Sequence, residues 1–163
     1  MTINTLAVAV LAFVTLQRLG ELVIARRNTA RLLARGAREV APEHYIWIVA
    51  LHAAWLIGLW LLASGIAPSL PLLAVFALFQ AGRLWVLGTL GVRWTTRIIV
   101  LPGAPLIVSG PYRFVQHPNY WIVAGEIALL PLSFGLLWYA ALFSVLNAGI
   151  LSVRIAAENR ALS

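Results

Sequence analysis

The chain has 163 residues, 62% apolar and only 10% charged; its 12 basic residues are all arginine, its five acidic residues are all glutamate, and it has no cysteine. An average soluble domain carries about 25% charge, so a soluble fold of this composition lacks the polar surface to cover itself, and the bilayer is the expected solvent. The basic residues sit in short islands between long apolar runs, which argues against nucleic acid, and the lack of cysteine excludes disulfides, thiolate metal sites and a cysteine nucleophile.

A bilayer core takes roughly 20 helical residues to cross. The first run is uncharged from Met1 to Gln17 and continues past Arg18 and Glu21 to Ala25, predicting a span over about 2–25. It has no basic leader and no small-residue cleavage site, so a cleaved signal peptide is not expected. The following loop, 26–44, contains RRNTARLLARGAR, whose arginine spacing predicts an amphipathic surface helix touching lipid headgroups. From Tyr45 to Gly82 the only ionisable group of the acid, base or imidazole type is His52, but Gly65, Pro68 and Pro71 signal a turn, so two spans are expected, 45–64 and 71–92.

The loop 93–117 is rich in proline and glycine. Pro102, Pro105 and Pro111 forbid one continuous helix, so it reads as extended or looped backbone over a membrane surface. The apolar pattern resumes over 118–130, breaks at Pro131 to Gly135, and returns over 136–157. Thirteen residues reach about 20 Å, short for a crossing, so 118–130 is expected to pair with 136–157 as a tight helical hairpin. Arg26, Arg27, Arg31, Arg35, Arg38, Arg93, Arg97, Arg113, Arg154 and Arg160 all fall on one side of such a topology. Cytoplasmic loops carry the basic excess. The sequence therefore predicts a single all-α integral membrane domain over 1–163, with five transmembrane helices, the N-terminus outside and the C-terminus cytoplasmic.

Candidate chemistry gathers on the arginine-rich side. The densest cluster is GPYRFVQHPNYW, Gly110 to Trp121. Pro118 suits the first turn of a helix, whose free N–H groups then open beside Arg113, His117, Asn119 and Tyr120 and attract anions. Further on, VRIAAENRAL sets Arg154 and Glu158 one helical turn apart, and a hairpin returns Glu158 to the level of His117. A carboxylate, an imidazole, arginines and a helix N-terminus in one pocket suit a zwitterionic or polar cofactor meeting an apolar substrate from the lipid. The three histidines are scattered and there is no aspartate, so no metal site is expected.

Other ionisable groups have plainer readings. Arg18 and Glu21 predict an intramembrane pair. Arg83 is open between a functional role and pairing with Glu21 or a backbone carbonyl, and Glu126 is open between structure and function. His52 reads as a buried helix–helix hydrogen-bonder. His44 and Tyr45 read as interfacial anchors, with a substrate role open.

The string Gly110-Pro-Tyr112-Arg113, then His117-Pro118-x-Tyr120, followed after one hairpin by Arg154-Ile-x-x-Glu158-x-x-x-Leu162, resembles the isoprenylcysteine carboxyl methyltransferase family of integral membrane methyltransferases. RLGELVIARRNTARLLARGAREV, His44-Tyr45 and RWTTRIIVLPGAPLIVSGPYR extend the resemblance to the bacterial branch associated with type III polyketide synthases, whose members O-methylate alkylpyrones or alkylresorcinols. The chain departs from the family pattern at Asn159, where many members carry a second glutamate, and at Gln116, where an arginine is frequent.

The resemblance implies S-adenosylmethionine held between the last two helices and the 93–117 loop, and a lipid-like acceptor arriving from the membrane. It assigns Tyr112, His117, Pro118, Asn119, Tyr120, Glu158 and Asn159 to the cofactor, and Arg113 or Arg154 to orienting the acceptor oxygen. It also implies a type III polyketide synthase in the same pathway. An anionic acceptor needs no base, whereas a phenol does, and His117 or Glu126 are the candidates. Alternatives are carboxyl methylation of a prenylated cysteine-like acid, methylation of a phospholipid headgroup, or a non-catalytic membrane protein or small transporter.

Overall fold

The computed structural model describes residues 3–162; the start of the first expected span at residue 2, and both ends of the expected 1–163 domain, lie outside the described residues. Five helices follow in order: α1 (Thr5–Leu33), α2 (Tyr45–Ala63), α3 (Leu70–Leu90), α4 (Pro118–Ser133) and α5 (Leu137–Leu162). Four segments are long and apolar enough to cross a membrane: Thr5–Leu33, Pro42–Ala63, Leu70–Arg93 and Leu137–Ala161. Their outer faces carry Ile57, Leu61, Leu78 and Val145, each 60% exposed or more, as suits lipid contact.

The side chain of Asn4 caps α1 by accepting from the Ala7 amide at 3.0 Å. The helix then runs straight through the arginine segment, so residues 26–33 extend the first span and the separate surface helix expected there does not exist. No residue between Ala25 and Leu33 breaks a helix; the stop comes at Gly36, with φ +87, where the Gly36 and Ala37 amides turn back to the Leu33 and Leu32 carbonyls. Asn28, buried on this extension, donates to the Gly91 and Trp94 carbonyls at 3.1 and 2.9 Å and ties α1 to the end of α3.

Helix α4 starts on Pro118 as expected but passes Pro131 and ends at Ser133. A proline inside a helix leaves the carbonyl four residues earlier without its amide partner. Here that carbonyl is Ile127, and the Trp55 indole N–H donates to it at 3.2 Å, which offsets the loss. The Ser133 carbonyl accepts from the Ser69 amide at 2.6 Å, so this 16-residue helix, about 24 Å long, reaches from the 93–117 loop to the opposite end of the bundle. Gly135, φ +74, turns the chain into α5.

Leu11, Trp55, Leu59, Ile127 and Leu130 are buried where α1, α2 and α4 meet. Gly58 lets α5 approach: the Tyr139 hydroxyl donates to the Trp55 carbonyl at 2.9 Å, and a Cβ at Gly58 would collide with it. The loops add one short ribbon to this all-α fold. β1 (Arg38–Val40) pairs antiparallel with β2 (Ile98–Val100), Glu39 opposite Ile99, because the Gly36 turn brings the first loop back and Ile98-Ile99-Val100 is β-branched. Arg97 and Glu39 close the ribbon at 2.8 Å.

Candidate active site

Two chambers lie side by side at the arginine-rich end. The larger, about 770 Å³, is walled by the ribbon, the 101–108 loop, the first turn of α4 and the last turns of α5. The smaller, about 340 Å³, is mostly apolar and lies among α1, α2 and α4. Five residues line both: Trp94, Thr95, Asn119, Tyr120 and Arg154.

That shared wall is held by a network between α4 and α5. Tyr120 stacks on His117 with ring centroids 5.2 Å apart. Its hydroxyl donates to the Glu158 carboxylate and accepts from Arg154 Nε at 2.9 Å. A second guanidinium nitrogen of Arg154 donates to the Thr96 carbonyl at 2.8 Å, anchoring the strand-side segment. His117 Nδ1 stands 3.9 Å from Glu158. Among the described residues nothing bonds the second oxygen of Glu158, so the carboxylate keeps capacity for a ligand.

Tyr112 reaches the larger chamber from the short 3₁₀ turn Gly110–Arg113. Burial, with the Glu158 charge, pushes its phenol up to about 12, so it is a donor at neutral pH. Gly110 makes the turn possible: φ is +56, and a Cβ there would strike the Thr89 side chain. Over this chamber the Arg93 guanidinium donates to the Pro105 carbonyl and holds the loop down. Asn119 offers a buried Oδ1 with no partner. Pro118 is buried, and Gln116 and Asn159 line the same chamber as Asn119.

Six of the ten candidate residues thus line the larger chamber, Arg154 makes seven, and Pro118 starts the helix that presents three of them. The other two do not join them. Arg113 is exposed, lies 5.7 Å over the Phe114 ring and lines neither chamber. Glu126 is fully buried and also lines neither. It accepts from Arg18 at 2.6 Å, Arg83 at 2.9 Å and Gln80 at 2.7 Å, while Arg83 also grips Glu21 through two nitrogens. Two arginines and two glutamates make a neutral cluster joining α1, α3 and α4, which leaves Glu126 no lone pair placed to serve as a base. Arg83 therefore takes the pairing anticipated with Glu21, and Arg18 pairs with Glu21 at 3.2 Å.

His52 differs from expectation: its Nδ1 bonds the Ile48 carbonyl of its own helix at 2.9 Å, not another helix. Tyr45 lies under the Arg97 guanidinium at 4.4 Å and its hydroxyl is 3.2 Å from Thr96 Oγ1, while His44 is near Glu43 at the surface. Sequence reasoning missed Trp94, Thr95 and Thr96. Their signal was present in RWTTR, but threonine and tryptophan carry no charge pattern that marks a wall.

The large chamber falls within the roughly 300–1,000 Å³ of small-molecule sites. The free Glu158 oxygen and the orphaned Asn119 Oδ1 suit an ammonium or ribose hydroxyls, and Tyr112 is a donor for a carboxylate, so the residues present fit S-adenosylmethionine. Among the described residues no histidine, cysteine or acidic cluster could hold a metal.

A family model for the isoprenylcysteine carboxyl methyltransferase (ICMT) family matches residues 72–163. A curated relative described as "Uncharacterized protein YpbQ", from Bacillus subtilis (strain 168), is 39% identical over 157 residues, covering 93% of this chain and 94% of the relative. No solved structure matches the chain. The family match covers more than half of the chain, including both motif-bearing helices, and with the long apolar helices it leads to one conclusion: the chain belongs to the isoprenylcysteine carboxyl methyltransferase family and is an integral, multi-pass membrane methyltransferase that uses S-adenosylmethionine.

Proposed function

We propose that this methyltransferase acts at the cytoplasmic membrane face on the hydroxyl of a lipid-like alkylpyrone or alkylresorcinol, made by a type III polyketide synthase of the same pathway. The observation that carries this reading is the wall of five residues common to a polar chamber and an apolar one. A soluble cofactor and a membrane-dissolved acceptor meet where two such chambers adjoin. Ten arginines at the ends of α1, α3 and α5 and in the adjoining loops support five crossings with that end in the cytoplasm.

In this reading Tyr112, His117, Asn119, Tyr120, Glu158 and Asn159 hold the cofactor, and Pro118 starts the helix that presents them. When bound, S-adenosylmethionine supplies an electrophilic methyl on a sulfonium, open to in-line attack. The protein contributes position, which is worth much of the barrier for such a displacement. Arg154, fixed by Tyr120 and Thr96, orients the acceptor oxygen at the junction. Glu126 and Arg113 take no part.

The test is methyl transfer by detergent-purified protein from labelled S-adenosylmethionine to an alkylresorcinol, an alkylpyrone and a prenylcysteine. Labelled ether from either of the first two is expected. Label in the prenylcysteine ester alone would overturn the acceptor, and no cofactor binding at millimolar concentration would overturn the site.

A further inference from the structure

The apolar chamber contains one basic group that the fold does not use. The Ile48 carbonyl can only accept, so the His52 ring must carry a proton on Nδ1, and in the neutral ring Nε2 then bears a free lone pair. Among the described residues nothing bonds that nitrogen, and His52 lines the chamber. A histidine kept only to join helices would bond across them.

No other group around the chamber can accept a proton as readily. Arg18, Arg83 and Arg154 are permanent cations. Glu21 is held by Arg18, Arg83 and Gln17. The Tyr120 hydroxyl is engaged between Arg154 and Glu158, and the Tyr45 hydroxyl bonds Thr96. His117 lines the polar chamber and not the apolar one.

The position of His52 is suitable. His52 lies seven residues, about two turns or ~10 Å along the axis, inward from Tyr45 on α2. Tyr45 touches Thr96, and Thr96 holds Arg154 on the shared wall. His52 thus lies deeper than that wall but lines the same chamber of about 340 Å³.

We propose that His52 is the general base for the acceptor hydroxyl; this rests on the hydroxyl methylation proposed above. The acceptor O–H bond breaks and its proton bonds Nε2. The oxygen lone pair forms the new O–C bond to the donor methyl while the C–S bond breaks, and that pair stays on sulfur. Arg18, Arg83 and Glu21 are the charged groups that act on the ring, and the imidazolium gives its proton to water as product leaves. A phenol, with a proton held to about pH 10, needs such help, whereas an acidic hydroxypyrone is already anionic.

The experiment compares wild type with His52→Gln in lipid nanodiscs, using S-adenosylmethionine with an alkylresorcinol or an acidic alkylhydroxypyrone. The variant is expected to lose about 10²–10⁴-fold in kcat with the resorcinol. It should change little with the pyrone, keep its cofactor affinity, and recover resorcinol turnover as pH rises. Equal losses with both acceptors, or none with either, overturn the inference and leave the acceptor reading standing. Wild-type turnover of the pyrone alone does the same. If wild type methylates neither while binding cofactor, the acceptor reading fails and this inference with it. Should the variant not fold, the wild-type pH profiles decide: an acidic limb specific to the resorcinol is expected, and coincident profiles for the two acceptors overturn the base.

Discussion

Two groups of arginine and glutamate lie within a few turns of each other and behave in opposite ways. The cluster of Arg18, Glu21, Arg83 and Glu126 borders the apolar chamber but is internally neutral, with both carboxylates satisfied by guanidinium and amide donors. The network of Tyr120, Arg154, Glu158 and His117 faces a chamber and leaves a carboxylate oxygen unbonded. Inside a membrane a charge alone does not mark a site, because burial forces charges to find partners. Hydrogen-bonding capacity left over beside a cavity is the better sign.

The sharpest way to break this contrast is to break the cluster. Arg83→Leu should leave Glu21 and Glu126 sharing the single Arg18 guanidinium, with one buried negative charge uncompensated, and cost about 3–5 kcal/mol. Thermal unfolding of the detergent-solubilised protein reads it, and a melting temperature within a degree or two of wild type would contradict a structural role. Glu158→Gln should do the reverse, leaving the unfolding curve nearly unchanged while weakening S-adenosylmethionine by about tenfold or more, as expected for a lost charged hydrogen bond. Calorimetric titration measures it; unaltered affinity would move the cofactor elsewhere. The smallest effect is expected from Arg113→Ala, exposed and off both chambers: stability within about 0.5 kcal/mol and kcat/KM near wild type. A large loss of activity there would return Arg113 to the acceptor site.

Much of this was legible beforehand because membrane spans and turns write themselves in apolar runs and prolines. The motif around His117 and the spaced Arg154 and Glu158 located the polar chamber. What escaped depended on partners distant in the chain. Pro131 looks like a helix end until Trp55 takes over the Ile127 carbonyl. Glu126 looks like a base until Arg18, Arg83 and Gln80 converge on it. The arginine segment has the spacing of a surface helix, and only Asn28 reaching the end of α3 shows that it continues the first span. Trp94 and Thr96 carry no pattern of their own, and matter because of what they adjoin.

The ribbon between β1 and β2 has a consequence for biosynthesis. Its strands are 58 to 62 residues apart across the pairs Val40–Ile98 and Arg38–Val100, and the chamber beside it is closed by Glu158 and Asn159 from the last helix. Contacts so distant along the chain form late. The polar chamber is therefore assembled only after α5 has entered the bilayer, and an incompletely inserted chain lacks the proposed place to load the cofactor.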